Sequence, residues 1–219
     1  MEEIKTKAIV LNSKDFQDSD KIVSVFSADY GKISVKFNGV RKAKAKLKPL
    51  IQPFTLIDIE CVKRGDFFNA KTGVVLSSFS RISIDYQKTI CGFIIVEIIN
   101  QILPKNKQES EIFIKTLKCL NELEEGNHYR ATINFILGFI ELLGEGVNLN
   151  LKSNRIFLDL SLGNFSEEKT FNCIEIDKKC YLNLSNPSEN ESLNKMSLKL
   201  LNNVLRVKYD KEINSFSFL

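Results

Sequence analysis

The chain reads as an α+β protein, a small strand-built barrel followed by a helical bundle, and three observations predict this. Before residue 80 the apolar side chains recur at every second position, and after Asp85 they recur at every third or fourth. Between the short segments of the first half lie clusters of Gly, Pro, Asn and Asp, with no helical stretch to carry a crossover.

Taken in order, 8–11 is a short apolar run, and 22–27 and 33–37 alternate apolar with polar, the pattern of strands with one buried face. In 54–62, Ile57, Ile59 and Cys61 fall on one face with Asp58 and Glu60 opposite, and 67–76 supplies a fifth strand. Asp15 to Asp20, Asp29-Tyr30-Gly31, a basic loop ending at Pro49, and Lys63-Arg64-Gly65-Asp66 have the turn chemistry that separates them. Five short strands in about 80 residues predict a closed or partly open barrel rather than a sandwich.

Tyr86, Ile90, Phe93, Ile94, Glu97, Ile98 and Gln101 then mark a helix that is apolar nearly all round and so belongs at the centre of a bundle; Leu103-Pro104 ends it. A second helix is expected over about 109–124, with Phe113, Leu117 and Leu120 on one face. A third spans about 129–143, with Phe135, Ile136, Phe139, Ile140 and Leu143 inward and Gly144 as its stop. Residues 145–187 read as an irregular insertion with short strands, from apolar pieces at 156–160, 171–176 and 181–184. Ser188 and Glu191 have capping-box spacing, which predicts a last helix with Leu193, Met196, Leu200 and Val204 as its stripe, running to about Lys208.

The charge is local. No acid lies between Asp29 and Asp58, where Lys32, Lys36, Arg41, Lys42, Lys44, Lys46 and Lys48 fall; with a net charge of +4, subtracting these seven leaves −3 for everything else. A basic surface of this kind binds polyanions by releasing their condensed counterions, so nucleic acid is the first expectation and a phosphate-rich membrane surface the second. Strand alternation sends Ile33, Val35 and Phe37 inward and Lys32, Ser34 and Lys36 to solvent. The plainer alternative is a solvated, mobile hairpin connection whose lysines protect a sheet edge.

Other chemistry is thin. His128, the only histidine, opens the third helix with no triad partner at a recognisable spacing and fits a capping or surface role. Gly31-Lys32 lacks the rest of a phosphate-binding loop, and Gly144-Glu145-Gly146 follows a helix rather than a strand. Cys173 and Cys180 lack a second ligand pair for zinc, and Asp18-Ser19-Asp20 fits a turn cap better than a metal site. The expectation is therefore a non-enzymatic protein without cofactor. The acidic start Met1-Glu2-Glu3 is no export signal, and the longest apolar runs are far shorter than the ~18 residues of a membrane span. The five scattered cysteines read as reduced, buried thiols, so a soluble cytoplasmic protein is expected.

Particular residues carry a resemblance. Ala8-Ile9-Val10-Leu11, Asp18-Ser19-Asp20-Lys21, Tyr30-Gly31-Lys32-Ile33, Gly39-Val40-Arg41-Lys42 and Leu50-Ile51-Gln52-Pro53-Phe54-Thr55-Leu56 occur in order over the first 80 residues. In them the chain resembles the RecO family of bacterial recombination mediators. The resemblance implies an N-terminal five-stranded OB-fold over 1–80 and a helical domain over 81–219, interrupted at about 145–187. Many relatives carry two Cys-x-x-Cys pairs there. None occurs in this chain, so the insertion is expected to lack a zinc site and to hold together by packing.

The resemblance further implies a protein of the bacterial cytoplasm, associated with the nucleoid, that binds single- and double-stranded DNA. Such a protein anneals complementary strands coated with single-stranded DNA-binding protein, and works with RecR, and indirectly RecA, to load RecA. Lys32, Lys36, Arg41, Lys42, Lys44, Lys46 and Lys48 are the expected phosphate contacts, with Lys63 and Arg64 in a neighbouring turn as a second tier. Tyr30 and Phe37 are candidate stacking platforms, although Phe37 lies on the apolar phase. Contact with the acidic, phenylalanine-ended tail of single-stranded DNA-binding protein falls to the helical domain, where no motif identifies the residues. The alternative is a protein-interaction scaffold whose basic loop serves an acidic partner.

Overall fold

A computed structural model describes residues 3–65 and 67–219; Met1 and Glu2 of the acidic start and Asp66 of the fourth turn lie outside the described residues. β1 (Glu3–Phe16) is much longer than its apolar run because it serves two partners. Its first half pairs antiparallel with β4 (Leu56–Arg64) and its second half with β2 (Asp20–Ser27), with a bulge at Leu11 where the register shifts. β2 pairs with β3 (Gly31–Phe37), β4 with β5 (Phe67–Ser77), and only Val35–Phe68 and Lys36–Asn69, paired in parallel, close the barrel in the order β1-β2-β3-β5-β4.

The alternation seen in the sequence settles which face fills the barrel. Ile33, Val35 and Phe37 of β3 and Ile57, Ile59 and Cys61 of β4 meet Ala8, Val10, Val23 and Val25 inside it. Val40, Leu50 and Ile51, from the connection after β3, join them. Phe54, expected to start β4, instead adopts a left-handed φ of 63°. Its ring leaves the barrel for Phe93, with centroids 5.0 Å apart.

α2 (Tyr86–Ile102) is the central helix, burying Ile90, Cys91, Ile94, Ile95, Val96, Ile98 and Ile99. α1 (Ser80–Ile84), α3 (Ser110–Glu125) and α4 (His128–Leu142) pack around it; α1 is too short to show a helical period and has no counterpart in the sequence reading. Ile9, Leu11, Phe26 and Phe54 turn their side chains out of the barrel into this helical core, Phe26 edge-on to Phe113 at 5.6 Å. Burial pushes the pKa of Cys61 and Cys91 up to about 12, which keeps both thiols protonated. All five cysteines are free.

The insertion holds a three-stranded sheet, ordered β7-β6-β8, from β6 (Ile156–Asp159), β7 (Asn164–Ser166) and β8 (Cys173–Ile176). Contrary to expectation, 181–184 is not a strand but part of α5 (Lys178–Ser185), begun by the Asp177 carboxylate, which accepts from the Lys179 amide. Tyr181 is fully buried edge-on to Phe165, and its hydroxyl accepts from the Leu151 amide at 2.9 Å and donates to the Asn148 carbonyl at 3.2 Å. Ile156, Leu158, Phe165 and Tyr181 belong to the same apolar core as α2. Among the described residues no group of His, Cys, Asp or Glu side chains is arranged to hold a metal ion.

α6 (Glu191–Tyr209) closes the bundle, but the expected capping box is not what begins it. Asn190 is the cap, accepting from the Leu193 amide at 3.0 Å, while Glu191 accepts from the Tyr129 hydroxyl and pairs with Lys195. The apolar tail forms a 3-10 turn, Asn214–Phe218. The Glu97 carboxylate anchors it by accepting from the Asn214 and Ser215 amides and the Ser215 hydroxyl. No helix among the described residues is long and apolar enough to cross a membrane.

Candidate nucleic-acid interface

Barrel topology gathers three connections at one end. Lys21 of β2 opposes Phe37 of β3, Asp20 opposes Phe16 of β1, and the start of β5 lies against the end of β3. The β1–β2 turn, the basic connection and the β4–β5 turn therefore emerge together, and the Phe16 and Phe67 rings meet across the first and last at 6.4 Å.

The basic connection joins β3 to β4, which are not neighbours in the barrel, so it is not a hairpin. It is built from successive tight turns: the Lys42 amide donates to Gly39, Ala45 to Lys42, and Lys48 to Ala45, at 3.1–3.2 Å. Buried Val40 fixes its start, and Leu50 and Ile51, in the 3-10 turn Lys48–Ile51, fix its end. Between these anchors Arg41, Lys42, Lys44, Lys46 and Lys48 are exposed, and Lys42, Lys44, Lys46 and Lys48 enter no ion pair among the described residues.

The acids of the β1–β2 turn organise the rest. The Asp20 carboxylate accepts from the Gly39 amide at 2.7 Å and pairs with Lys36 at 3.0 Å, and these two partners hold its pKa below the usual carboxylate value. Asp18-Ser19-Asp20 thus caps the start of the basic connection. Arg41 is divided between roles: it reaches Asp15 at 3.4 Å and donates to the Asp18 carbonyl at 3.3 Å, clamping the turn with part of its fork. Lys36 lies 5.0 Å over the Phe16 ring.

Lys32 departs from expectation. It shares its face with Ser34 and Lys36, but the segment joining α2 to α3 covers it, leaving it 7% exposed with its ammonium on the Asn100 carbonyl at 2.5 Å. Lys63 and Arg64 are exposed beside the β4–β5 turn, at the same end as the basic connection. Phe37 is fully buried inside the barrel and offers no open face, and half-buried Tyr30 packs towards Phe68 at 6.4 Å. A second half-buried pair, Phe16 and Phe67, lies among the turns of the rim. The sequence held no signal for it, since the contact depends on barrel closure between segments far apart in the chain.

The arrangement amounts to a cationic rim, four of its lysines in no ion pair among the described residues, with an aromatic pair among its turns. Two family models match the chain: Recombination protein O N terminal over residues 1–79, and Recombination protein O C terminal over residues 84–218. The chain is similar to the DNA repair protein RecO of Caldanaerobacter subterraneus subsp. tengcongensis, with 24% identity over 216 residues that cover 95% of this chain and 82% of that one. It is also similar to the proteins of that name from Mycoplasma mycoides subsp. mycoides, at 29% identity covering 92% and 86%, and Mycoplasma capricolum subsp. capricolum, at 26% covering 96% and 93%.

Proposed function

Because the chain belongs to the RecO family and so has a role in DNA repair and recombination, we propose that it is a non-enzymatic mediator that binds DNA through the rim of its barrel. It binds single and double strands, anneals complementary strands coated with single-stranded DNA-binding protein, and with RecR promotes loading of RecA. It acts in the cytoplasm, at the nucleoid. Annealing needs no bond made or broken: two phosphate backbones repel, and a surface that neutralises both lets bases find their partners.

The observation that carries this reading is the set of exposed lysines 42, 44, 46 and 48, unpaired among the described residues and fixed on a connection anchored at both ends. Arg41, Lys63 and Arg64 extend the phosphate-contacting surface, and Lys36 works beside Phe16. If about five cations contact a single strand, the logarithm of affinity against that of salt concentration falls with a slope near about −3.5. The test is the variant Lys42→Glu/Lys44→Glu/Lys46→Glu, which spares the structural Arg41. It should weaken binding to oligonucleotides of any sequence, flatten the slope by about 2, and reduce annealing of coated complementary strands. Unchanged affinity in that variant would remove the rim as the DNA site.

A further inference from the structure

A carboxylate beside a surface that receives phosphates repels them, so each acid at the rim calls for a reason. Two acids of the β1–β2 turn differ in what they touch. Asp18 is exposed, and its carboxylate enters no ion pair among the described residues. Asp20 is only 9% exposed, and its two oxygens are divided between the Gly39 amide, at 2.7 Å, and the Lys36 ammonium, at 3.0 Å.

Gly39 stands where the basic connection leaves β3. Its φ of 63° is a conformation open to glycine, and in it the amide meets Asp20. The Arg41 amide, which donates to the Ser19 carbonyl at 3.0 Å, ties the same two segments together. From Gly39 onward each tight turn is built on the one before it, through the bonds Lys42 to Gly39, Ala45 to Lys42 and Lys48 to Ala45. No side chain from Lys42 to Lys46 is buried, so this stretch owes its order to the main chain and to the point where the turns begin.

We propose that Asp20 is a positioning residue for DNA binding: by holding the Gly39 amide it keeps the basic connection in the conformation that meets phosphates, and so raises affinity although its own charge opposes the ligand. The inference rests on the DNA-binding reading above and adds what keeps that site ready. A connection already ordered loses less conformational freedom when a strand binds. The cost in repulsion is small, because the Lys36 ammonium offsets the Asp20 charge at the site itself. If Asp20 served only to neutralise Lys36, its removal would instead release a cation to DNA and tighten binding, so the two roles differ in sign.

The experiment compares Asp20→Ala with Asp18→Ala, each of which removes one negative charge from the same turn, in binding a single strand of about 16 nucleotides. Circular dichroism confirms the fold of both. Asp18→Ala should bind as tightly as the parent or more tightly, and Asp20→Ala about fivefold to tenfold more weakly. The salt slope of Asp20→Ala should stay within about 0.5 of the parent's, since no phosphate-contacting cation is removed. Amide exchange at Gly39, Lys42 and Ala45 should quicken in Asp20→Ala and not in Asp18→Ala. Asp20→Asn, which keeps an oxygen for the Gly39 amide, should recover most of the affinity. Parental or tighter binding by Asp20→Ala, in a protein that the rim variant impairs, overturns the positioning role and leaves the DNA reading standing. Unchanged exchange at Gly39 overturns it as well, and so does an equal loss in Asp20→Asn, which would make the charge rather than the amide bond the cause. If Asp20→Ala does not fold, Ala43→Gly/Ala45→Gly decides: it keeps every charge and loosens the turns, so it should bind more weakly, and parental affinity overturns the inference. Failure of the parent to bind the oligonucleotide removes both readings.

Discussion

At position 31 the absence of a side chain decides how barrel and helices meet. A Cβ there would fall 1.8 Å from the carbonyl oxygen of Lys107, and the residue holds a φ of 65°, where side chains are strained. Replacing Gly31 with Ala must push the α2–α3 connection off β3, which uncovers Lys32. The expected outcome is a loss of stability well above about 1 kcal/mol, measured by chemical denaturation, the excess over ordinary glycine substitutions being the mark of a clash. The sequence marked Gly31 as part of a turn and of a family motif, but the contact that explains it lies far along the chain. The same limit hid Lys32: its phase in the strand was legible, whereas its burial came from a segment that no periodicity could bring there. Arg41 was legible as a charge and illegible as a clamp, because its partners, the Asp15 carboxylate and the main-chain oxygens of Gln17 and Asp18, belong to another turn.

At the scale of elements, alternation identified β2, β3 and β4, where a half-buried strand enforces period 2, while β1 showed only as the apolar run 8–11, a fraction of its length. The reading of 181–184 as a short strand failed because an apolar piece of four residues is shorter than a helical repeat can reveal; burial of Tyr181 and Leu184, three apart, shows the helical face. Two cap spacings also competed before α6, and Asn190 with Leu193 won over Ser188 with Glu191. The insertion itself hangs on Tyr181. Changing it to Phe keeps the ring against Phe165 and leaves the Leu151 amide and Asn148 carbonyl without their partner. The expected loss is about 1–3 kcal/mol, with hydrogen exchange quickening first at residues 148–151; protection unchanged there would show that the segment is held by other contacts.

For the whole molecule, the division into barrel and bundle that the change of period suggested conceals a shared core. Ile9, Leu11, Phe26 and Phe54 belong to the apolar cluster of α2, so the barrel buries one set of side chains inside and another under the helices. Unfolding should therefore proceed with coincident transitions, whether followed by hydrogen exchange of β2 or by helical circular dichroism. A barrel that persists after the helices melt would contradict this. Charge at this scale was the most legible property of all, because an acid-free run is visible without any fold. What the run could not convey is its partition: Lys32 and Lys36 are engaged within the structure, and Lys42, Lys44, Lys46 and Lys48 enter no ion pair among the described residues.

The closure of the barrel has a consequence of its own. Only two residue pairs join β3 to β5, whereas every other seam is a long antiparallel ladder. That makes it the suture along which the barrel parts most easily. Phe16 and Lys36 stand on one side of it and Phe67 on the other, so a strand of DNA lying across all three acts as a stitch. On the proposed DNA reading, occupancy and barrel opening are antagonistic, and DNA bound at the rim would also hold the protein shut.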